Sequence, residues 1–278
     1  MDRTSSYLAA CIQLRSTTNV DENLKLTESL IRRAHAHGAS LIMTPENTAL
    51  LGPQFHKVEC AEPLDGKIGS FFSNLADELG IHLLIGSLAE EKRTPEGQLD
   101  TRCYNTSVFF GPQGDLLASY RKIHLFDVDV PGGLSIKESD TICPGEEVVV
   151  VETPLGTVGM SICYDLRFPE LYRKMVDQGA EIITVPSAFT LTTGKDHWHP
   201  LLKARAIETQ TWVIAPGQWG QHDQEGKRQS YGHSVIIDPW GHVVADAGQG
   251  QRVCYAEIDL NQVGQVRQSI PLSQHRRV

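Results

Sequence analysis

Cys163 closes the apolar run GMSIC and is followed at once by the charged and aromatic turn YDLRFPE. A cysteine at the mouth of a strand-to-helix connection lies where open α/β sheets place their ligands, and its thiolate is a nucleophile. Backbone N–H groups of the crossing, from Tyr164 to Phe168, can hold an oxyanion. A packed, inert thiol satisfies the same local sequence, so on these residues alone both readings stand. Glu46, in TPEN just beyond the apolar run SLIMT, is a solvated carboxylate or, in a partly dry pocket, a general base. Lys122, in SYRKIHL after a hairpin strand, is a surface cation or a fixed charge beside a developing oxyanion. Arg167 can fork onto a substrate carboxylate, or pair internally with Asp165 or Glu170. Phe189 and Thr190, in PSAFTLTTG, line a pocket or shape a loop. His197 and His199 come nearest to a metal pair, but a spacing of two puts them on different sides of a helix. With no CxxC pair in the chain either, no metal site is expected.

The elements that must position these residues follow from periodicity. Short apolar runs alternate with amphipathic helical patterns, which predicts an α/β protein. Strands are expected at 7–13, 40–44, 81–87, 103–110 and 116–120, with helices at 21–38, capped by Asp21 and stopped by Gly38, and at 67–79. A long irregular stretch, 121–146, is expected to be functional. The second half predicts strands at 148–152, 157–163, 181–185, 212–215, 232–238, 243–247 and 253–258. Its helices are a first one opened by Pro169 and a second over 196–210. Two echoes suggest a repeat. HGASLIMTPE (37–46) resembles QGAEIITVPS (178–187), and SVFFGPQGDLLA (107–118) matches SVIIDPWGHVVA (234–245), each a hairpin signal around Pro-x-Gly. We therefore expect a single domain, 1–278, of two similar halves, their sheets stacked face to face as an α-β-β-α sandwich.

Composition bounds the chemistry. The 278 residues carry 25 basic and 34 acidic side chains, a net charge of −9, which argues against nucleic acid or an anionic membrane as partner. No apolar run is long enough to span a bilayer, and MDRTSSYLAACIQL does not read as a signal peptide. The six cysteines are scattered, so free thiols in a reducing, cytoplasmic setting are expected.

TPEN around Glu46, SYRKIHLFD around Lys122 and GMSICYDLRFPE around Cys163 stand in one chain order. In that order they resemble the nitrilase superfamily of carbon–nitrogen hydrolases, from the first strand to the C-terminal SIPLSQHRR. The stretches IHLFDVDVPGGLSIKESDTICPGE, GAEIITVPSAFTLTTGKDHWHPLLKARAIETQ and SYGHSVIIDPWG resemble its Nit branch, and CYDLRFPE is unlike the neighbourhood of nitrile-cleaving enzymes. The resemblance implies a cofactor-free amidase on an α-β-β-α sandwich, acting through a Glu46-Lys122-Cys163 triad. Glu46 would be the base, and Lys122 with the Tyr164 N–H would hold the oxyanion. Glu138, in KESD, would be the second glutamate that many members carry. It further implies a small carboxylated amide substrate, deaminated glutathione first and 2-oxoglutaramate or 2-oxosuccinamate as alternative, with other small amides or N-carbamoyl compounds behind them, and a homodimer built on helix 196–210 or SIPLSQHRR. Two rivals remain: a Cys-His hydrolase with His124 as base, and a non-catalytic binding protein that keeps the fold.

Overall fold

The computed structural model describes residues 3–129, 135–223 and 225–277. The first half comprises β1 (Ser6–Gln13), α1 (Val20–Ala36), β2 (Leu41–Met43), α2 (Gln54–Glu59), α3 (Lys67–Leu79), β3 (His82–Glu90), β4 (Cys103–Phe110) and β5 (Leu116–Arg121). Within the stretch expected to be irregular, β6 (Asp127–Asp129) and β7 (Ser135–Lys137) pair as a small hairpin, and β8 (Ile142–Cys143) joins β4. Residues 130–134 of that stretch lie outside the described residues. The second half runs through β9 (Val150–Thr153), β10 (Gly156–Met160), α4 (Pro169–Asp177), β11 (Ile182–Thr184), α5 (Leu191–Thr209), β12 (Trp212–Ala215), β13 (Trp219–Gln221) and β14 (Gln229–Tyr231). It then continues into β15 (Val235–Ile237), β16 (Val243–Asp246), β17 (Arg252–Asp259), α6 (Asn261–Ser269) and α7 (Leu272–His275).

One sheet has the order β17-β1-β2-β3-β4-β5 with β8 beside β4, and the other β16-β15-β12-β11-β10-β9. The sequence echoes become equivalent positions. β1-β2-β3 and β10-β11-β12 are parallel triplets, and the hairpins β4-β5 and β15-β16 extend them antiparallel. Side chains alternate across each strand. Tyr7, Ala9 and Cys11 of β1, with Leu41 and Met43 of β2, face Val158, Met160, Ile182 and Ile214 of the other sheet in an inner core. Ala10, Ile12 and Ile42 turn outward to Leu30, Ile31 and Phe72 on α1 and α3. Ile183, Val213 and Val235 likewise meet Tyr172 of α4 and Trp198 and Leu202 of α5. The layers are therefore α-β-β-α.

Three local differences from the sequence reading have physical causes. Asn19 rather than Asp21 caps α1, its side chain accepting the Glu22 N–H, while Asp21 sits in the first turn where it favours the helix dipole. α5 begins at Leu191, not at 196, although TLTTG has weak helix propensity. A Cβ on Gly194 would lie 2.3 Å from Cβ of Tyr231, so close packing on β14 sets that turn. α2, after Pro53, is too short to show a period.

His197 and His199 do diverge on α5: His197 Nδ1 lies 3.3 Å from the Arg167 guanidinium, and His199 Nε2 2.9 Å from Asp246. His233 also bonds Asp246, at 3.1 Å, and the three residues bring possible ligand atoms within 4.8 Å of one another, with the carboxylate already shared between both imidazoles. Burial works to raise the Asp246 carboxyl, but bonds from His199, the Gly248 N–H and His233 hold it at about 2, below its ordinary 3.8. A depressed carboxyl stabilises the fold above its unfolded value and loses that contribution as pH falls through the folded one. The side chain is a third exposed, so screening leaves about 1 kcal/mol. Asp246→Asn is expected to unfold that much more easily in urea at pH 6. The gap should close between pH 4 and pH 2.

Candidate active site

Glu46, Lys122, Glu138 and Cys163 line one open cavity, with Tyr164, Arg167, Phe189 and Thr190 in its walls. Every candidate read from the sequence reaches this cavity. The TPEN loop that carries Glu46 leaves β2 in a tight bend. Gly86 of β3 permits the approach, since a Cβ there would fall 2.2 Å from the Thr44 carbonyl oxygen. Gln218 ties the loop from the opposite half, donating to the Glu46 and Asn47 carbonyls at 3.0 and 3.3 Å.

Glu46 is 3 % exposed and fully bonded. Its Oε1 accepts from Lys122 Nζ and from Asn105 Nδ2, each at 2.9 Å, and its Oε2 from the Ala188 N–H at 2.8 Å. That last bond joins the ends of the two echoed strands, TPE and VPS. Lys122, 2 % exposed, also donates to Glu138 Oε2 at 2.9 Å, and Glu138 accepts the Phe126 N–H at 2.8 Å. Burial works to raise the Glu46 carboxyl, but the charges of Lys122 and Lys57 and the bonds from Lys122 and Ala188 outweigh it and hold it below the usual value. Burial works against the Lys122 charge, and the two carboxylates override it, keeping the ammonium well above its ordinary value. An ionised base and a permanent cation thus share a dry site.

Cys163 follows β10 in the left-handed region at φ +48°, opening a short helical turn, Cys163–Arg167. Burial pushes its thiol well up, Glu46 adds to this by charge and hydrogen bond, and Lys122 opposes it. The thiol is therefore protonated at rest, beside a carboxylate able to take the proton as a bond forms. The first N–H groups of a helical turn have no partner inside it. That of Cys163 donates to the Pro186 carbonyl at 3.0 Å, which leaves the Tyr164 N–H for an incoming oxygen.

Asp165, fully buried, braces this turn: it accepts from Tyr120 Oη at 2.7 Å, the Ile162 N–H at 2.8 Å and His124 Nδ1 at 2.7 Å. Arg205 of α5 holds the turn from below, donating to the Leu166 carbonyl at 2.8 and 3.0 Å. Arg167 pairs with neither Asp165 nor Glu170 among the described residues. Its guanidinium lies over Phe189, 5.2 Å from the ring centroid, and faces the cavity. His124 stacks on Phe168 at 3.7 Å and is bonded to Asp165, away from the cavity lining, which leaves the His124-base reading without a geometry. His222 does line the cavity, but its ring nitrogens sit 2.9 Å from the Ser16 carbonyl and from Ser230 Oγ, and burial lowers its proton affinity.

Sequence reasoning missed Asn105, which bridges Glu46 and Glu138, and the cavity-lining Gln54, Lys57 and Arg228. A polar residue in the buried phase of a strand was the available signal for Asn105.

Known proteins resemble this chain over nearly its whole length. The carbon-nitrogen hydrolase family profile matches residues 8–268. A deaminated glutathione amidase from Synechocystis sp. is 44 % identical over 272 residues, covering 97 % of this chain and 98 % of that one. The omega-amidase NIT2 of Danio rerio is 39 % identical over 274 residues, 98 % of this chain and 95 % of its own. The crystal structure of Saccharomyces cerevisiae Nit3, a member of branch 10 of the nitrilase superfamily, superposes with a TM-score of 0.87 at 32 % identity, covering 100 % of this chain and 99 % of its own.

Proposed function

Since the chain belongs to the carbon-nitrogen hydrolase family and is an amidase, we propose that it hydrolyses the amide of a small carboxylated substrate, foremost deaminated glutathione, to 2-oxoglutarate and cysteinylglycine. The observation that carries this reading is the convergence of an ionised Glu46, a buried Lys122 and the Cys163 thiol on one cavity, with an Arg167 that has no carboxylate partner among the described residues.

In this reading Glu46 accepts the Cys163 proton as sulfur attacks the amide carbon. Lys122 has three N–H groups. Two are committed to Glu46 and Glu138, and the third meets the oxyanion together with the Tyr164 N–H. The carbon–nitrogen bond breaks as the amine takes the proton from Glu46, leaving a thioester. Glu46 then deprotonates a water, which attacks the thioester and returns the thiol. Glu138 anchors Lys122 and keeps its third N–H aimed at the oxyanion. Arg167, with Phe189 and Thr190 beside it, receives the carboxylate of the acyl part. Of the omega-amidase substrates, 2-oxoglutaramate presents the same acyl group and 2-oxosuccinamate one a methylene shorter, and they are the second reading, which the zebrafish relative favours.

Incubation of the purified protein with deaminated glutathione and with 2-oxoglutaramate tests this. Release of cysteinylglycine with kcat/KM above that for 2-oxoglutaramate is expected. A folded protein that turns over neither amide sinks the proposal.

The inner core drawn from both sheets supports residues 1–278 working as one unit. The six cysteines are free, which suits a reducing, cytoplasmic setting, and no helix among the described residues is long and apolar enough to cross a membrane. We also take the protein to be a homodimer. Ile207 of α5, Trp240, Val243 and Val244 are each 40–51 % exposed, and Ile207 packs on Gly241 at the tip of the β15-β16 hairpin. Sedimentation equilibrium at micromolar concentration should give twice 30.7 kDa. Ile207→Asp should shift it to the monomer.

A further inference from the structure

α2 supplies the cavity with two polar groups that have no hydrogen-bond partner among the described residues. Lys57 is 7 % exposed, yet its ammonium has no hydrogen bond or ion pair among the described residues. A largely buried ammonium whose only nearby opposite charge acts at a distance, with no direct partner, carries a desolvation cost. Three residues earlier on the same helix, Gln54 also lines the cavity, and its Oε1 is fully enclosed with no hydrogen-bond partner. Buried polar atoms in folded proteins are otherwise paired. Two such vacancies on adjacent turns call for a ligand with an anion and a peptide-type polar group.

The wall matters as much as the charge. Lys57 lies close enough to Glu46 for its charge to be felt there, whereas Arg167 stands with Tyr164 on the turn that follows Cys163, over the Phe189 ring of the loop before α5. Lys57 and Arg167 thus come from different elements of the cavity wall, and Arg228, just before β14, lines it too, without an ion pair among the described residues and less buried than Lys57. A substrate whose acyl carboxylate occupies Arg167 leaves the cations of the other elements, Lys57 the most buried of them, for its leaving group.

We propose that Lys57 and Gln54 form a leaving-group subsite, in which Lys57 binds the terminal carboxylate of a peptide-sized amine and Gln54 its peptide group. The subsite makes the enzyme selective for amides of carboxylated amines over primary amides. The proposal rests on the amidase reading above and adds to it the residues that recognise the amine released. Deaminated glutathione carries such a carboxylate on its leaving dipeptide, whereas 2-oxoglutaramate releases only ammonia.

Steady-state kinetics of Lys57→Met on both amides is the test. Methionine has nearly the volume of lysine and removes an unpaired buried charge, so the variant should fold, and turnover of 2-oxoglutaramate reports that it has. The ratio of kcat/KM for deaminated glutathione over 2-oxoglutaramate should fall at least tenfold, through KM for deaminated glutathione. Loss of kcat on both amides alike overturns the subsite and makes Lys57 an electrostatic support for Glu46. A ratio unchanged within threefold overturns it as well. If the wild type hydrolyses neither amide, the functional reading fails and the subsite is judged on binding alone. Glycylglycine should then shield Cys163 from iodoacetamide in the wild type, with a protection constant at least tenfold weaker in Lys57→Met. Equal protection, or none, overturns it.

Discussion

Cys163→Ala abolishes amide hydrolysis, a loss of about 10⁴-fold or more in kcat, while the protein stays folded to within about 1 kcal/mol of the wild type. The two halves of that expectation have separate causes. The thiol forms the bond to carbon, so nothing else in the cavity replaces it. The same side chain contributes little to the fold, because it is partly exposed at the cavity and sits at φ +48°, a conformation no more costly for alanine. Cys163→Gly sharpens the contrast. Glycine adopts that φ without penalty and should gain up to about 1 kcal/mol while remaining inactive. Glu46→Gln should lose about 10³-fold. The double variant should be no worse than Cys163→Ala alone, since base and nucleophile act as a unit. His124→Ala should retain activity within about tenfold and lose mainly stability, because its ring is bonded to Asp165 and stacked on Phe168. A Cys163→Ala enzyme that kept its rate, or a His124→Ala enzyme as inactive as Glu46→Gln, would defeat the assignment.

The pH profile follows from the same two groups. Attack needs Glu46 ionised, and its carboxyl is held below the ordinary 4.5, so kcat/KM should begin to fall only below that pH. The thiol is raised above its ordinary 9.0, so no rise marking a free thiolate should appear between pH 6 and pH 9. A plateau across that range is the expected shape. A resting thiolate paired with an imidazolium would instead give a limb near pH 6.5.

The three motif residues were legible because each sits at a strand end, where the local sequence shows both the apolar run and the polar residue that ends it. The repeat was legible for a related reason. Gly38 and Gly179, at φ +88° and +92°, stop the helices before β2 and β11, and a glycine at a helix stop is visible without tertiary knowledge. Asn105, Gln54 and Lys57 were not. Asn105 reaches Glu46 across 59 residues of chain, and its role exists only once β4 lies beside the TPEN loop. Lys57 belongs to a helix of six residues with no readable period, and its place beside the cavity, with no direct ion pair among the described residues, is a property of the fold alone. Arg167 shows the intermediate case. The sequence offered Asp165 as a partner, and the structure commits Asp165 to Tyr120, His124 and the Ile162 N–H instead.

Lys122→Met should have the largest combined effect on stability and rate. The ammonium lies between Glu46 and Glu138, whose side chains are each 4 % exposed, and it bonds both at 2.9 Å. Removing it leaves two buried carboxylates sharing Asn105 as donor, a situation that costs about 3–5 kcal/mol at neutral pH. The sign of the pH response follows. Without the cation, at least one carboxyl has its proton affinity raised above the unfolded value, so the variant recovers stability as pH falls from 7 to 5 and loses it again as pH rises. The wild type should change little over that window. Urea midpoints at pH 5 and 7 measure this, and a Lys122→Met protein equally stable at both would refute the charge argument. Adding Glu138→Gln removes one of the stranded charges and should restore most of the stability at pH 7. It should not restore turnover, because the oxyanion still lacks the Lys122 N–H, a deficit of about 10²–10³-fold. Stability and rate would then part company at one residue, as expected of a lysine that bridges the two carboxylates at rest and stabilises the oxyanion only in the transition state.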